Sequence, residues 1–270
     1  MLRLLVSTSG GRTSAYMAKR LRAEASDIYE MVFVFANTGL EREETLVFVD
    51  RLRSVWGMNI VWVEAVVHHD QRLGCTHRIV DFESASRKGE PFEEMIKKYG
   101  IPNKMYPHCT RELKLNPIRS YMASIGWADY FTAVGIRADE PKRIRAGAEA
   151  DRIIYPLVTM FPTDKPGIND WWEDQPFRLG LMEHEGNCES CWKKSLSKLV
   201  RIAKDRPQAF EFMARMEATY GTYQDGNTRT FFRERRSAND IVSIADLLNP
   251  SLRFDNPDEN SGCSESCEAF

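Results

Sequence analysis

The stretch Leu4–Leu21, LLVSTSGGRTSAYMAKRL, decides how the rest of the chain reads. An apolar run stops in Ser-Thr-Ser-Gly-Gly, and a helical pattern starts at once, with Tyr16, Met17 and Leu21 on one face. A glycine-rich turn feeding a helix gathers backbone N–H groups into an anion site. Glycine leaves room for a phosphate to approach, and hydroxyls between Ser7 and Ser14 add donors. The same residues also describe a plain strand-to-helix turn capped by Ser9 or Thr13. The spacing fits neither the Walker loop nor the dinucleotide fingerprint.

Outward from this stretch the pattern alternates. Met31–Ala36 is a continuous apolar run, as expected of a strand covered on both faces. Glu43–Trp56 is helical, with Leu46, Val49, Leu52 and Val55 at three-residue spacing, and Asn59–Val66 is a third strand. Strand–helix–strand–helix–strand predicts an α/β fold, a parallel sheet with helices on both sides. From 67 to 108 the rhythm breaks, which marks an insertion with a short helix near Phe92–Tyr99. Further on, the pattern predicts helices over Arg111–Ile125, Asp170–Gln175, Trp192–Lys204 and Gln208–Thr219. Strands are expected over Ala128–Val134 and Arg152–Leu157. The division expected is a main domain over 1–205, a helical C-terminal region over 206–249, and a mobile acidic tail over 250–270.

The chain has 270 residues, 43% hydrophobic and 28% charged, with a net charge of −2, the composition of an ordinary globular protein. Nothing in that balance demands a polynucleotide partner. No apolar run suggests a membrane span or a secretory leader, so a cytoplasmic protein without a membrane partner is expected. Its six cysteines suit free, metal-binding or redox roles better than a disulfide frame.

Four motifs follow one another, each at the end of an expected strand. Ser9-Gly10-Gly11-Arg12-Thr13-Ser14 resembles the PP-loop of the adenine nucleotide alpha hydrolase superfamily. Asn37-Thr38-Gly39 with Glu44-Thr45 resembles the signature of the phosphoadenosine phosphosulfate (PAPS) reductase branch. Gly135-Ile136-Arg137-Ala138-Asp139-Glu140, followed by Arg143 and Arg145, is similar to that branch's arginine loop, and Tyr155-Pro156-Leu157 precedes a helix bearing Trp171-Trp172. Strand ends are where open α/β sheets bind ligands. The resemblance spans roughly residues 1–205 and implies the PP-loop fold. It implies an adenine nucleotide, either ATP or PAPS/APS with Mg2+, held by Ser7, Ser9, Gly10, Gly11, Arg12, Thr13, Ser14, Asn37, Thr38, Gly39, Gly135, Arg137 and Arg143. Arg137 and Asp139 are its expected catalytic pair, and guanidinium forks suit phosphate or sulfate oxygens.

Cys109 begins one helix and Cys188-Glu189-Ser190-Cys191 begins another. Three such cysteines signal metal, cluster or redox chemistry. Their order resembles the iron–sulfur sulfonucleotide reductases, with His108 where those have the first member of a Cys-Cys pair. That implies a [4Fe–4S] cluster on Cys109, Cys188 and Cys191, with His108 or a tail cysteine as fourth ligand or none. A structural zinc site and three unconnected cysteines are the competing readings. Cys75 reads as a lone thiol, and His68-His69-Asp70 as a solvated turn. The reductases' Glu-Cys-Gly-Leu-His ending is absent, and the chain instead carries Cys263 and Cys267 as candidate catalytic thiols.

The reading that follows is ATP-dependent adenylylating sulfur transfer, with a sulfur or electron donor protein as partner. Sulfonucleotide reduction and a non-catalytic nucleotide-binding subunit are the alternatives. Lysines and arginines along Lys193–Arg206 describe either a solvated face or a guide for a DNA or tRNA backbone. Thr228–Arg236 mixes aromatic and basic residues in a way that suits strand contact.

Overall fold

The computed structural model describes residues 1–70, 72–186, 188–222 and 226–247. Six strands form one sheet in the order β4-β3-β2-β1-β5-β6. These are β1 (Leu2–Thr8), β2 (Tyr29–Asn37), β3 (Ile60–Val67), β4 (Cys75–Val80), β5 (Phe131–Ala133) and β6 (Ile153–Ile154). Helices α1 (Arg12–Glu24) and α2 (Glu43–Ser54) make the first two crossovers. The register sets Val6 of β1 beside both Phe33 of β2 and Ala133 of β5, all parallel. The chain order therefore reverses at β1, which makes its C-terminal end the place where a ligand crevice opens.

Alternation along β1 explains the two layers. Leu4 and Val6 face a core with Met17 and Leu21 of α1, Phe48 of α2 and Trp172. Leu5 faces the other way, onto Ile118, Tyr121 and Met122. A strand buried on both faces must be apolar throughout, which is why β1 and β2 read as unbroken runs.

Three features depart from the sequence reading. The stretch 67–108 holds a strand: β4 pairs antiparallel with β3, Val63 opposite Ile79, and so gives the parallel sheet one antiparallel edge. Its alternation of half-buried and exposed polar residues hides it from an apolar search. The strand expected over Arg152–Leu157 shortens to β6 and turns at once into α6 (Pro156–Thr159), because Pro at the first helical position favours helix. The strand at Ala128–Val134 likewise shrinks to β5.

The helix expected from Arg111 begins earlier, as α4 (His108–Thr110), and passes through a π-helical turn at Arg111–Leu115 into α5 (Asn116–Ser124). Beyond α7 (Lys165–Glu173) lie α8 (Leu196–Asp205), α9 (Glu211–Tyr220) and α10 (Ala238–Leu247), the last within the region 206–249 expected to be helical. With α3 (Glu90–Tyr99), these last three helices share a second core around Phe92, Met95, Ile202, Met216 and Phe231. The insertion helix and the C-terminal helices are thus one packed layer. The expected tail, 250–270, lies outside the described residues, and Cys263 and Cys267 with it.

Candidate functional site

The Ser9–Ser14 loop leaves the tip of β1 and enters α1 with Gly11 as N-cap. Neither Ser9 nor Thr13 caps the helix. Ser14 Oγ accepts from Ser9 N at 3.0 Å and donates to Gly11 O at 3.1 Å, so the serines brace the loop itself. No side chain caps α1, which leaves its first N–H groups to face the space beyond the helix end.

The need for glycine differs at the two positions. Gly10 has φ +81°, and a Cβ there would stand 2.5 Å from Thr45 Cγ2. Close packing on α2 dictates that glycine, and it ties Thr45 of the second motif to the loop. At Gly11 a Cβ would meet only Ser9 Oγ, at 3.6 Å, so space for a ligand is the remaining reason. Arg12 points away: its guanidinium donates to Asn169 Oδ1 and Leu181 O, each at 3.3 Å.

At the tip of β2, Asn37 is fully buried and donates to Glu64 Oε1 at 2.6 Å, while its Oδ1 accepts from Gly39 N at 3.2 Å. Glu64, also buried, accepts from Ser86 and Arg78 as well. The Asn-Thr-Gly turn is thereby anchored to the neighbouring strand. At the tip of β5, Arg137 is 5% exposed and donates from Nε to Asp139 Oδ1 at 2.8 Å, with Glu140 at 3.6 Å. Arg143 pairs with Glu140 at 2.6 Å. Burial is the largest single influence and works against a charged Asp139, yet the Arg137 hydrogen bond and charge together with backbone N–H bonds outweigh it and hold the carboxyl below its usual range. These arginines stand in an acid–base network beside the β1 loop.

The cysteines expected to act together do converge. Cys109, Cys188 and Cys191 line one cavity with Thr38, Lys114 and Trp192. Cys109 comes from α4, and the other two from the loop before α8. Thr38 Oγ1 is 3.3 Å from Cys188 Sγ and 2.8 Å from Glu41 Oε1, so the thiol donates to the hydroxyl and the hydroxyl to the carboxylate. Glu41 Oε2 also accepts from Thr38 N at 2.8 Å.

Two further residues of this site were missed. Lys194, read from sequence as part of either a solvated basic face or a polynucleotide guide, is 1% exposed. Its Nζ donates to Gly186 O and Cys188 O at 3.0 Å and to Glu189 O at 2.7 Å, which folds the cysteine loop around one ammonium. Lys114 is 7% exposed on the cavity wall. Nothing in a charge pattern separates a buried lysine from a solvated one.

His108 does not line the cavity; its Nε2 meets Gly100 O at 3.0 Å, and burial lowers its pKa. Among the described residues, no group of three or more His, Cys, Asp or Glu side chains forms a ready site for a metal ion. The donor set is nevertheless three sulfurs around a shared space, which suits a thiolate-held iron–sulfur group. Cys75 is a buried lone thiol that donates to Glu112 at 3.3 Å. His68 is half-buried and His69 exposed, and they bond Thr76 and Glu94.

Strand order and strand-end loops together define an α/β protein with a mostly parallel six-stranded sheet. The chain belongs to the family of the uncharacterized nin region protein ORF290 of Escherichia phage lambda. The two are 32% identical over 283 residues, covering 98% of this chain and 94% of that protein. No protein-family model matches. Among solved structures, the chain is similar to PAPS reductase from Candida auris in its phosphate complex, at 14% identity and TM-score 0.37, over 65% of this chain and 74% of that one. It is also similar to a predicted subunit of tRNA methyltransferase from Methanocaldococcus jannaschii, at 12% identity and TM-score 0.35, over 87% and 100%. Likeness at that level says nothing of what this chain binds. Among the described residues, no helix is long and apolar enough to cross a membrane.

Proposed function

We propose that this chain is an adenine-nucleotide-binding enzyme of sulfur transfer. The observation that carries the reading is the position of Thr38. It belongs to the Asn-Thr-Gly turn beside the Ser9–Ser14 loop, and its hydroxyl touches Cys188. On this reading, the turn beside the phosphate-binding loop also supplies one wall residue of the three-cysteine cavity.

In this reading the N–H groups at the start of α1 hold the β- and γ-phosphates of ATP, and Mg2+ would supply neutralising charge for them. The acceptor attacks the α-phosphorus, the bond to the bridging oxygen breaks, and pyrophosphate leaves. Arg137, held by Asp139 and Glu140, offers positive charge at the neighbouring strand end where negative charge develops. Cys109, Cys188 and Cys191 would hold a [4Fe–4S] cluster, which supplies sulfur-carrying or electron-transfer capacity when bound. Thr38 and Lys194 orient the Cys188 side of that cavity, and a donor protein renews the sulfur or electrons.

The test is anaerobic purification followed by iron, acid-labile sulfide and zinc analysis, with pyrophosphate release from ATP measured beside sulfite release from PAPS. Iron and sulfide with pyrophosphate release support the proposal. Sulfite release in its place identifies a sulfonucleotide reductase. Zinc without sulfide removes the cluster, and failure to bind ATP and PAPS removes the nucleotide site.

A further inference from the structure

The segment that reads as strand-contacting, Thr228–Arg236, divides in the structure. Its two phenylalanines are core: Phe231 is 0% and Phe232 4% exposed. Glu217 clamps the segment by accepting from Phe231 N at 2.9 Å and Ala238 N at 2.8 Å. Phe231 and Phe232 turned inward leave the arginines outward, Arg233 and Arg235 being exposed. The aromatic partner comes from elsewhere. Tyr106, 48% exposed and three positions before Cys109, carries the Arg229 guanidinium 3.7 Å from its ring centroid. Asn103 Nδ2 fixes that pairing by donating to Thr230 O at 2.9 Å.

These groups run on toward the cysteine cavity. Arg233 donates to Lys193 O at 3.4 Å, and Lys193 Nζ donates at 3.0 Å to Thr110 Oγ1, whose side chain lines the cavity. Beside them lies a groove of about 200 Å3 between the start of α8 and Phe232. Trp192 and Leu199 line it with apolar surface, and Arg233, Glu234 and Arg236 line it too, Glu234 being paired with Arg236. Trp192 also lines the cysteine cavity, and its buried indole Nε1 has no hydrogen-bond partner. A bound molecule that offers a flat apolar body to Trp192 and Leu199 and an anionic group to Arg233 would suit this groove.

We propose that Tyr106, Arg229, Lys193, Arg233 and the Trp192 groove form a binding track for single-stranded nucleic acid. The track leads a strand past the cysteine cavity, one base seated against Trp192. Stacking on an exposed aromatic and phosphate contact with arginine are the two elements of strand binding that tolerate sequence. A duplex keeps its bases stacked inside and offers none to the groove. Between Thr228 and Arg236 there are four arginines and one acid, Glu234, so the local charge opposes the chain's overall −2. The inference rests on the reading above only for what the strand would receive, since binding needs neither ATP nor a cluster.

The experiment is fluorescence anisotropy with labelled twelve-mers of dT and of U, a hairpin duplex of the same length, and a poly-glutamate peptide as competitor. Tight binding of the single strands, weakening as salt rises, is expected. Arg233→Ala and Arg229→Ala should each weaken it roughly fivefold to tenfold and flatten the salt dependence, because each removes a phosphate contact. Arg53→Ala, exposed on α2, should leave it unchanged. A preference between dT and U tells DNA from RNA.

The proposal is overturned by absence of binding at low salt, by equal binding of the duplex, by displacement with poly-glutamate, or by full affinity in both track variants. ATP binding measured on the same protein keeps the two readings apart. Strand binding without ATP binding removes the nucleotide site alone, and the reverse removes the track alone.

Discussion

The Thr38 hydroxyl lies 3.3 Å from the Cys188 sulfur and 2.8 Å from the Glu41 carboxylate, and all three groups are buried. One hydroxyl thus satisfies an acceptor and a thiol at once. Thr38→Val keeps the shape and removes the hydroxyl, so Glu41 retains the Thr38 N–H bond and a long 3.9 Å bond from the Cys188 thiol. The expected loss is about 1–3 kcal/mol of stability, read from urea unfolding. Thr38→Ser should recover most of it. Equal stability of the valine variant would mean that the buried carboxylate finds another donor.

The two loop glycines should separate cleanly. Gly10→Ala places a Cβ against Thr45 at positive φ and should cost about 1–3 kcal/mol. Gly11 has φ −99° and open space, so Gly11→Ala should change stability by less than about 0.5 kcal/mol. Nucleotide affinity measured calorimetrically on the Gly11→Ala protein then tests the loop without confounding it with folding. Unchanged affinity would reduce the loop to a turn.

The ends of β1 and β2 were legible because parallel central strands are apolar on both faces and stop abruptly. Leu4–Val6 and Met31–Ala36 announce themselves, and the motif residues follow at fixed distances. The convergence of Cys109 with Cys188 and Cys191 was legible only through the resemblance, since spacing does not reveal which helix starts face one another. Lys194 and Phe231–Phe232 were misplaced for a shared reason. Composition assigns lysine to the surface and lets an aromatic flanked by arginines serve either side. Tertiary packing decided both, through three carbonyls around Lys194 Nζ and the Glu217 clamp.

Lys194→Met should therefore act on folding before it acts on chemistry. Methionine matches the volume, yet the carbonyls of Gly186, Cys188 and Glu189 lose a common donor. A loss of about 2–4 kcal/mol is expected, since each buried acceptor left unpaired costs about 1–3 kcal/mol and some gain water. A drop in thermal midpoint together with faster proteolysis near Cys188 would confirm it. A wild-type midpoint would place the ammonium in solvent.

Cys75 should resist modification. Burial pushes its thiol up to about 12, and the Glu112 carboxylate adds to the shift. Native protein treated with iodoacetamide at pH 8 should keep Cys75 unlabelled, as read by peptide mass spectrometry, and urea should expose it. Rapid native labelling would mean that β4 opens readily at the sheet edge.

Stability should fall on mild acidification. Burial holds His184 below its ordinary value of about 6.5, and the nearby Arg201 and Lys194 charges act in the same direction against Glu185 and Asp205. The unfolded chain therefore takes up this proton at a higher pH than the folded one. The stability contributed by neutral His184 is complete above about pH 6.5 and is lost as pH falls through the lowered folded value. His184→Gln should flatten that part of the urea midpoint against pH. An unchanged slope would assign the loss to another group.

The wide turn at Arg111–Leu115 sets a constraint of length. It sits between Cys109 and the α5 face that covers the sheet, and it holds one residue more than an α-helical turn would. Were the same five residues wound as an ordinary α-helix, with α5 still seated on the sheet, everything before the turn would swing by about 100° around the helix axis. Cys109 would then face away from Cys188 and Cys191, so the extra residue in one helical turn sets the phase that holds the three sulfurs together.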